Sequence, residues 1–146
     1  MVRSILAVIA GFVSTAIVIM VVEAINGQVF HPELAKQAEG VTDREVVRAI
    51  LAKAPISAFL VVLLGWAMGS FTGAYVAVWI ARKPAARHGL ILGVLVTLAG
   101  ILNNLMIPPP LWFWIPSLVI YLPAAYVGAQ LAPRPAAAPV AAEPSS

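Results

Sequence analysis

Four apolar runs of about 20 residues each, set apart by short polar or proline-rich breaks, decide what this chain can become. They lie at about 4–25, 56–81, 89–107 and 111–131. A helix needs about 20 mostly apolar residues to cross roughly 30 Å of hydrocarbon, where no water receives a stray backbone N–H or C=O. The chain is 62% hydrophobic and only 10% charged, with a mean hydropathy of +0.97, whereas soluble domains are roughly one quarter charged. The reading is an all-α integral membrane four-helix bundle over residues 1–132. Residues 133–146, "PRPAAAPVAAEPSS", carry no apolar period and are expected to form a disordered, cytoplasmic tail.

The first run follows a single Arg3 and meets no charge until Glu23. Its apolar length exceeds the roughly 7–15 residues of a secretory signal core, which favours a retained helix, although "VEA" at 22–24 has the small-residue spacing of a cleavage site. Residues 26–54 are the one substantial polar region and are read as an extracytoplasmic loop. Within it, "VTDREVVRAILAKAP" has the pattern of a short amphipathic helix. Thr42 and Glu45 have capping-box spacing, and Val46, Val47, Ile50 and Leu51 share one face. Such a helix fits the headgroup region with its apolar side down, and equally fits against the ends of the bundle. Pro55 ends it or opens the second span, where a missing N–H is harmless.

An even number of spans puts both termini on one side with the loop "ARKPAARHG", collecting Arg3, Arg82, Lys83, Arg87 and Arg134 against Glu143 alone. The other side balances Lys36, Arg44, Arg48 and Lys53 with Glu23, Glu33, Glu39, Asp43 and Glu45. The positive-inside rule therefore predicts cytoplasmic termini. Trp112, Phe113 and Trp114 mark the outer boundary and Trp79 the inner one. The pI near 9.7 reports this topology; the basic residues are scattered at segment ends and form no nucleic-acid surface.

Small residues recur at every fourth position of the second run: Gly65, Gly69, Gly73, Ala77 and Ala81. Ala7, Gly11 and Thr15, then Gly89, Gly93 and Thr97, then Ala124, Gly128 and Ala132 repeat the spacing. In lipid, helix association rests on close dispersion contact and polar bonds, both of which need backbones to approach. Two readings stand open: tight packing within one chain, and docking of another copy or another membrane protein on the Gly65–Ala81 face. Pro116 and Pro123 remove backbone donors from the fourth span and free the carbonyls of Trp112 and Val119.

Polar residues in spans are functional candidates. Glu23, Asn26, Asn103 and Asn104 all fall near the extracytoplasmic ends of their segments and make up a candidate polar pocket for a cation, a proton or a headgroup. The alternative is that Glu23 reaches interfacial water while the asparagines bond across helices. His31, beside Pro32, lacks metal-ligand spacing with Glu33, and His88 beside Arg87 reads as a cytoplasmic interfacial residue. Ser57, Ser70 and Ser117 have no G-x-S-x-G context and no evident paired histidine. The absence of cysteine excludes disulfides, thiolate metal sites and thiol chemistry. No Walker loop or dinucleotide fingerprint occurs. No metal or cofactor is expected.

The segments "NNLMIPPPLWFWIPSLVIYLPAAYVGAQLA" and "LGWAMGSFTGAYVA" resemble those of uncharacterised small bacterial inner-membrane proteins with four predicted spans, a resemblance extending over about residues 1–132. It implies a bacterial inner membrane and carries no activity. Small multidrug-resistance transporters also have four helices and a glutamate in the first, but theirs lies deep in the span and Glu23 lies near its end. The expectation is a non-enzymatic accessory or structural component packing through small-residue faces in the lipid bilayer. The alternative is transport of a small solute or ion through the Glu23 pocket.

Overall fold

The computed structural model describes residues 2–82 and 85–133, so Lys83 and the tail from 134 onward, with its expected disorder, lie outside the described residues. The fold is all-α, with no strand among the described residues. Helix α1 spans Val2–Ile25 and runs on through one π-helical turn, Asn26–Phe30. Short helices α2 (Pro32–Ala38) and α3 (Arg44–Ala52) follow, then α4 (Ile56–Ala81), α5 (Ala85–Met106), α6 (Leu111–Val119) and α7 (Tyr121–Leu131). Four stretches are long and apolar enough to cross a membrane: Val2–Phe30, Ile56–Ala81, Arg87–Met106 and Leu111–Leu131. The chain is a multi-pass membrane protein in architecture.

Helix α4 is the hub. It packs along α1 on one side and against α7 and α5 on the other, while α1 barely meets α5. The small-residue positions make these approaches. Gly65, Gly69, Gly73, Ala77 and Ala81 are all buried, as are Ala7, Gly11 and Thr15 opposite them. A Cβ on Gly11 would lie 2.5 Å from the Gly73 carbonyl oxygen and 2.9 Å from the Ala77 Cβ. Thr15 Oγ1 donates across the same seam to the Gly69 carbonyl at 3.0 Å, a polar bond of the kind that holds helices together in lipid. The small face of α4 is therefore occupied by α1 of the same chain. Outside the seam, Ile5, Leu6, Ile9, Val13, Ile17 and Val21 of α1 are exposed, forming an apolar flank suited to lipid.

The fourth span is split in hydrogen bonding between α6 and α7. Pro123 has no N–H for the Val119 carbonyl, and Ile120 between α6 and α7 keeps helical angles, φ −65° and ψ −31°. Helix α3 differs from the expected capping box: Asp43 is its N-cap, its carboxylate accepting from Glu45 N at 2.9 Å and Val46 N at 3.0 Å. Asp43 takes the role because its carboxylate reaches two of the free amides of the first turn. Helix α3 lies on the bundle end through Leu51, which with Ala54 packs on the core, and leaves Val46 exposed. Pro55 is the N-cap of α4.

At the opposite end, Arg3 Nε donates to the Ile80 carbonyl at 2.8 Å, placing a cation on the last turn of α4. Arg82 closes that helix in the left-handed region, φ 51°, its N–H bonding to Val78 O at 3.0 Å. A side chain there is strained and glycine is not. Arg82→Gly should raise the stability of the detergent-solubilised protein by about 1 kcal/mol, read as a shift in thermal melting; an unchanged or lower melting point would mean the arginine side chain contributes more than the backbone strain costs.

Candidate functional site

The four residues expected to share one polar pocket are divided among three places. Consecutive helical residues point about 100° apart, so Asn103 and Asn104 cannot face the same way. Asn104 is fully buried, donating from Nδ2 to Ser117 Oγ at 2.9 Å, while Ser117 donates to the Trp114 carbonyl at 2.8 Å. This bond ties α5 to α6 and is used up in packing.

Glu23 and Asn103 do meet, across a lateral cleft of about 250 Å³ between α1 and α5. It exists because α1 leans on α4 and leaves α5 uncovered. Phe12, Met20 and Val96 give it apolar walls, and Trp66 of α4 and Tyr121 of α7 form its back. The Trp66 indole N–H donates to Glu23 Oε1 at 3.1 Å. Trp66 stacks on Tyr121 with ring centroids 5.4 Å apart and also meets Phe113, and Phe113 in turn packs on Phe59 and Trp112. The Tyr121 ring lies directly over Gly100, where a Cβ would come within 2.6 Å of its hydroxyl. Glu23 has no cationic partner among the described residues. Trp66, Tyr121 and Gly100 were not among the sequence candidates; the coincidence of a glycine and an aromatic at one depth in different spans was the signal available.

Asn26 is drawn away from Glu23 by the π turn. Its backbone carbonyl accepts from the His31 N–H at 2.7 Å, the five-residue spacing of a π turn. Its side chain is buried and donates from Nδ2 to the Ala58 carbonyl at 3.0 Å. That bond turns Oδ1 toward His31 Nδ1, 2.7 Å away. The other ring nitrogen, Nε2, is 2.8 Å from Ser57 Oγ. The expectation that no serine has a paired histidine is thus corrected: the loop folds back so that the end of the first span meets the start of α4. His31 also lines a groove of about 400 Å³ between α2 and α3, with Phe30, Leu34, Ile50 and Lys53.

His88, expected at the cytoplasmic interface, is turned into the protein. It is only 4% exposed, and Nδ1 has no hydrogen-bond partner among the described residues. Among the described residues no three His, Asp or Glu side chains gather as metal ligands would. No protein-family model matches this chain, and no curated protein or solved structure does either.

Proposed function

We propose that this protein is a bacterial inner-membrane component, with both termini cytoplasmic, that takes a small amphiphilic cation into the lateral cleft between α1 and α5. The reading rests on Glu23, a carboxylate at the mouth of an apolar, aromatic-backed cleft with an indole N–H to orient it and no cation of its own. An ionised group at the edge of hydrocarbon is costly unless paired, and a bound cation is the partner it lacks. Aromatic faces favour a soft, weakly hydrated cation such as a quaternary ammonium. The cleft opens sideways, so an alkyl tail can remain in lipid. The Gly65–Ala77 face, by contrast, is covered by α1 of the same chain.

The test is calorimetric titration of decyltrimethylammonium into the protein in lipid nanodiscs, paired with flux of the same class of cation in liposomes. Glu23→Gln keeps the shape of the side chain and removes its charge. It should weaken binding about tenfold or more, as loss of a charge-assisted contact does, with melting little changed. Equal affinity and flux in wild type and variant would remove the cleft from consideration.

A further inference from the structure

A second chemical site lies at the bundle end, apart from the cleft, where the π turn closes on the start of α4. We infer that Ser57, His31 and Asn26 form a nucleophile, base and positioning group for hydrolysis of carboxylic esters at the membrane boundary. The hydrogen bonds assign the proton positions. Because Asn26 Nδ2 is committed to the Ala58 carbonyl at 3.0 Å, Oδ1 faces His31 and must accept, so Nδ1 carries the ring proton. Nε2 is then the bare nitrogen, and the Ser57 hydroxyl donates to it at 2.8 Å. Nucleophile, base and orienting group stand in the order and contact that acyl transfer requires.

Two further features serve the same chemistry. Ser57 sits in the first turn of α4, after the N-cap Pro55, where the N–H groups of Ile56 and Ser57 have no intrahelical acceptor and no side-chain cap. Free amides on the nucleophile's own turn are suited to an oxyanion as it forms. The adjoining groove of about 400 Å³ offers Phe30, Leu34 and Ile50 to an acyl chain, with His31 in its wall and one charge of each sign, Glu33 and Lys53, along it. The substrate class is therefore a carboxylic ester with an apolar acyl chain. Ser57 is exposed, so the hydroxyl is reachable.

The step balances without any other reagent than water. Ser57 Oγ bonds to the ester carbonyl carbon as its proton passes to His31 Nε2. Collapse of the tetrahedral intermediate breaks the C–O bond, and the leaving alcohol takes that proton. Water then attacks the acyl-serine with His31 again as base, releasing the carboxylic acid and restoring the serine hydroxyl.

The experiment treats the full-length protein in detergent with a fluorophosphonate probe, locates the adduct by peptide mass spectrometry, and follows p-nitrophenyl butyrate release in parallel. The expected result is labelling at Ser57 and ester turnover, both lost in Ser57→Ala and slowed about 100-fold or more in His31→Gln, the scale of a lost general base. Asn26→Ala should slow labelling about tenfold and Asn26→Gln should restore part of it, since its amide again offers an acceptor for Nδ1–H and a donor for the Ala58 carbonyl; a variant that recovers stability but no labelling rate would mark the asparagine as purely structural. Absence of a Ser57 adduct on folded wild-type protein overturns the inference, as does labelling that is undiminished in His31→Gln. Neither outcome bears on cation binding at Glu23, which the nanodisc titration reads separately.

Discussion

Gly128→Ala should destabilise the bundle by about 3 kcal/mol, although alanine is the better helix former by about 1 kcal/mol. The sign is set by what a single methyl group would meet. A Cβ on Gly128 would fall on the Phe71 carbonyl oxygen, 2.8 Å from its carbon and 2.9 Å from the Phe71 Cα. All three atoms are backbone of α4, so no rotamer can yield, and α7 must move bodily away from its partner. Gly93→Ala is the control. There the nearest atoms are Leu122 Cδ2 at 3.0 Å and the Ala125 Cβ at 3.3 Å, and the leucine end can swing aside. That variant should stay within about 1 kcal/mol of wild type, the gain in helix propensity offsetting the contact. Unfolding in detergent with increasing dodecyl sulfate reads both. Equal stability of the two variants would mean that α4 and α7 do not approach as closely as the structure has them.

The contrast between those glycines marks what a sequence can and cannot disclose. Span limits are legible because hydrocarbon thickness sets a length that composition must meet, and residues 56–81 and 111–131 are bounded where expected. The fourfold spacing of small residues identifies which face of each helix is narrow. It does not name the helix that fills the groove: Gly65–Ala77 faces α1, whereas Gly89 and Gly93 face Ala129 and Ala125 of α7. Depth was legible for Glu23 and Asn103, which line one cleft. Rotation was not. Asn103 turns to the cleft and Asn104, one residue on, turns to Ser117.

His31 and Ser57 are 26 residues apart with two short helices between them. Their contact depends on a π turn, a feature that follows from no local residue preference and that shifts Asn26 off the Glu23 face. Similarly, α2 has only Pro32 at its first position and Glu33 in its first turn to announce it, and it is too short for periodicity to register. Pairings of this kind are products of the tertiary fold, so a motif search along the chain passes over them.

Trp66 joins stability to function, and two substitutions separate its roles. It is 4% exposed and touches Phe113, Tyr121 and Glu23 from the centre of the bundle. Trp66→Ala should cost about 3–5 kcal/mol, the range for emptying a buried aromatic site, because Phe113 and Tyr121 lose the ring that lies between them. Tyr121 would then be free to lean into the cleft it now backs. Trp66→Phe keeps an aromatic face but deletes the indole donor, leaving Glu23 Oε1 without its one side-chain hydrogen bond among the described residues. The loss in stability should be small beside that of alanine. Cation affinity should fall about two- to fivefold, the equivalent of one weakened cation–π contact. Dodecyl sulfate unfolding and the ammonium titration separate the two effects. If Trp66→Ala unfolds like wild type, the aromatic stack is not what holds α4 to α6 and α7. If Trp66→Phe binds the ammonium as tightly as wild type, the indole neither orients Glu23 nor faces the ligand, and the cation must sit nearer Asn103.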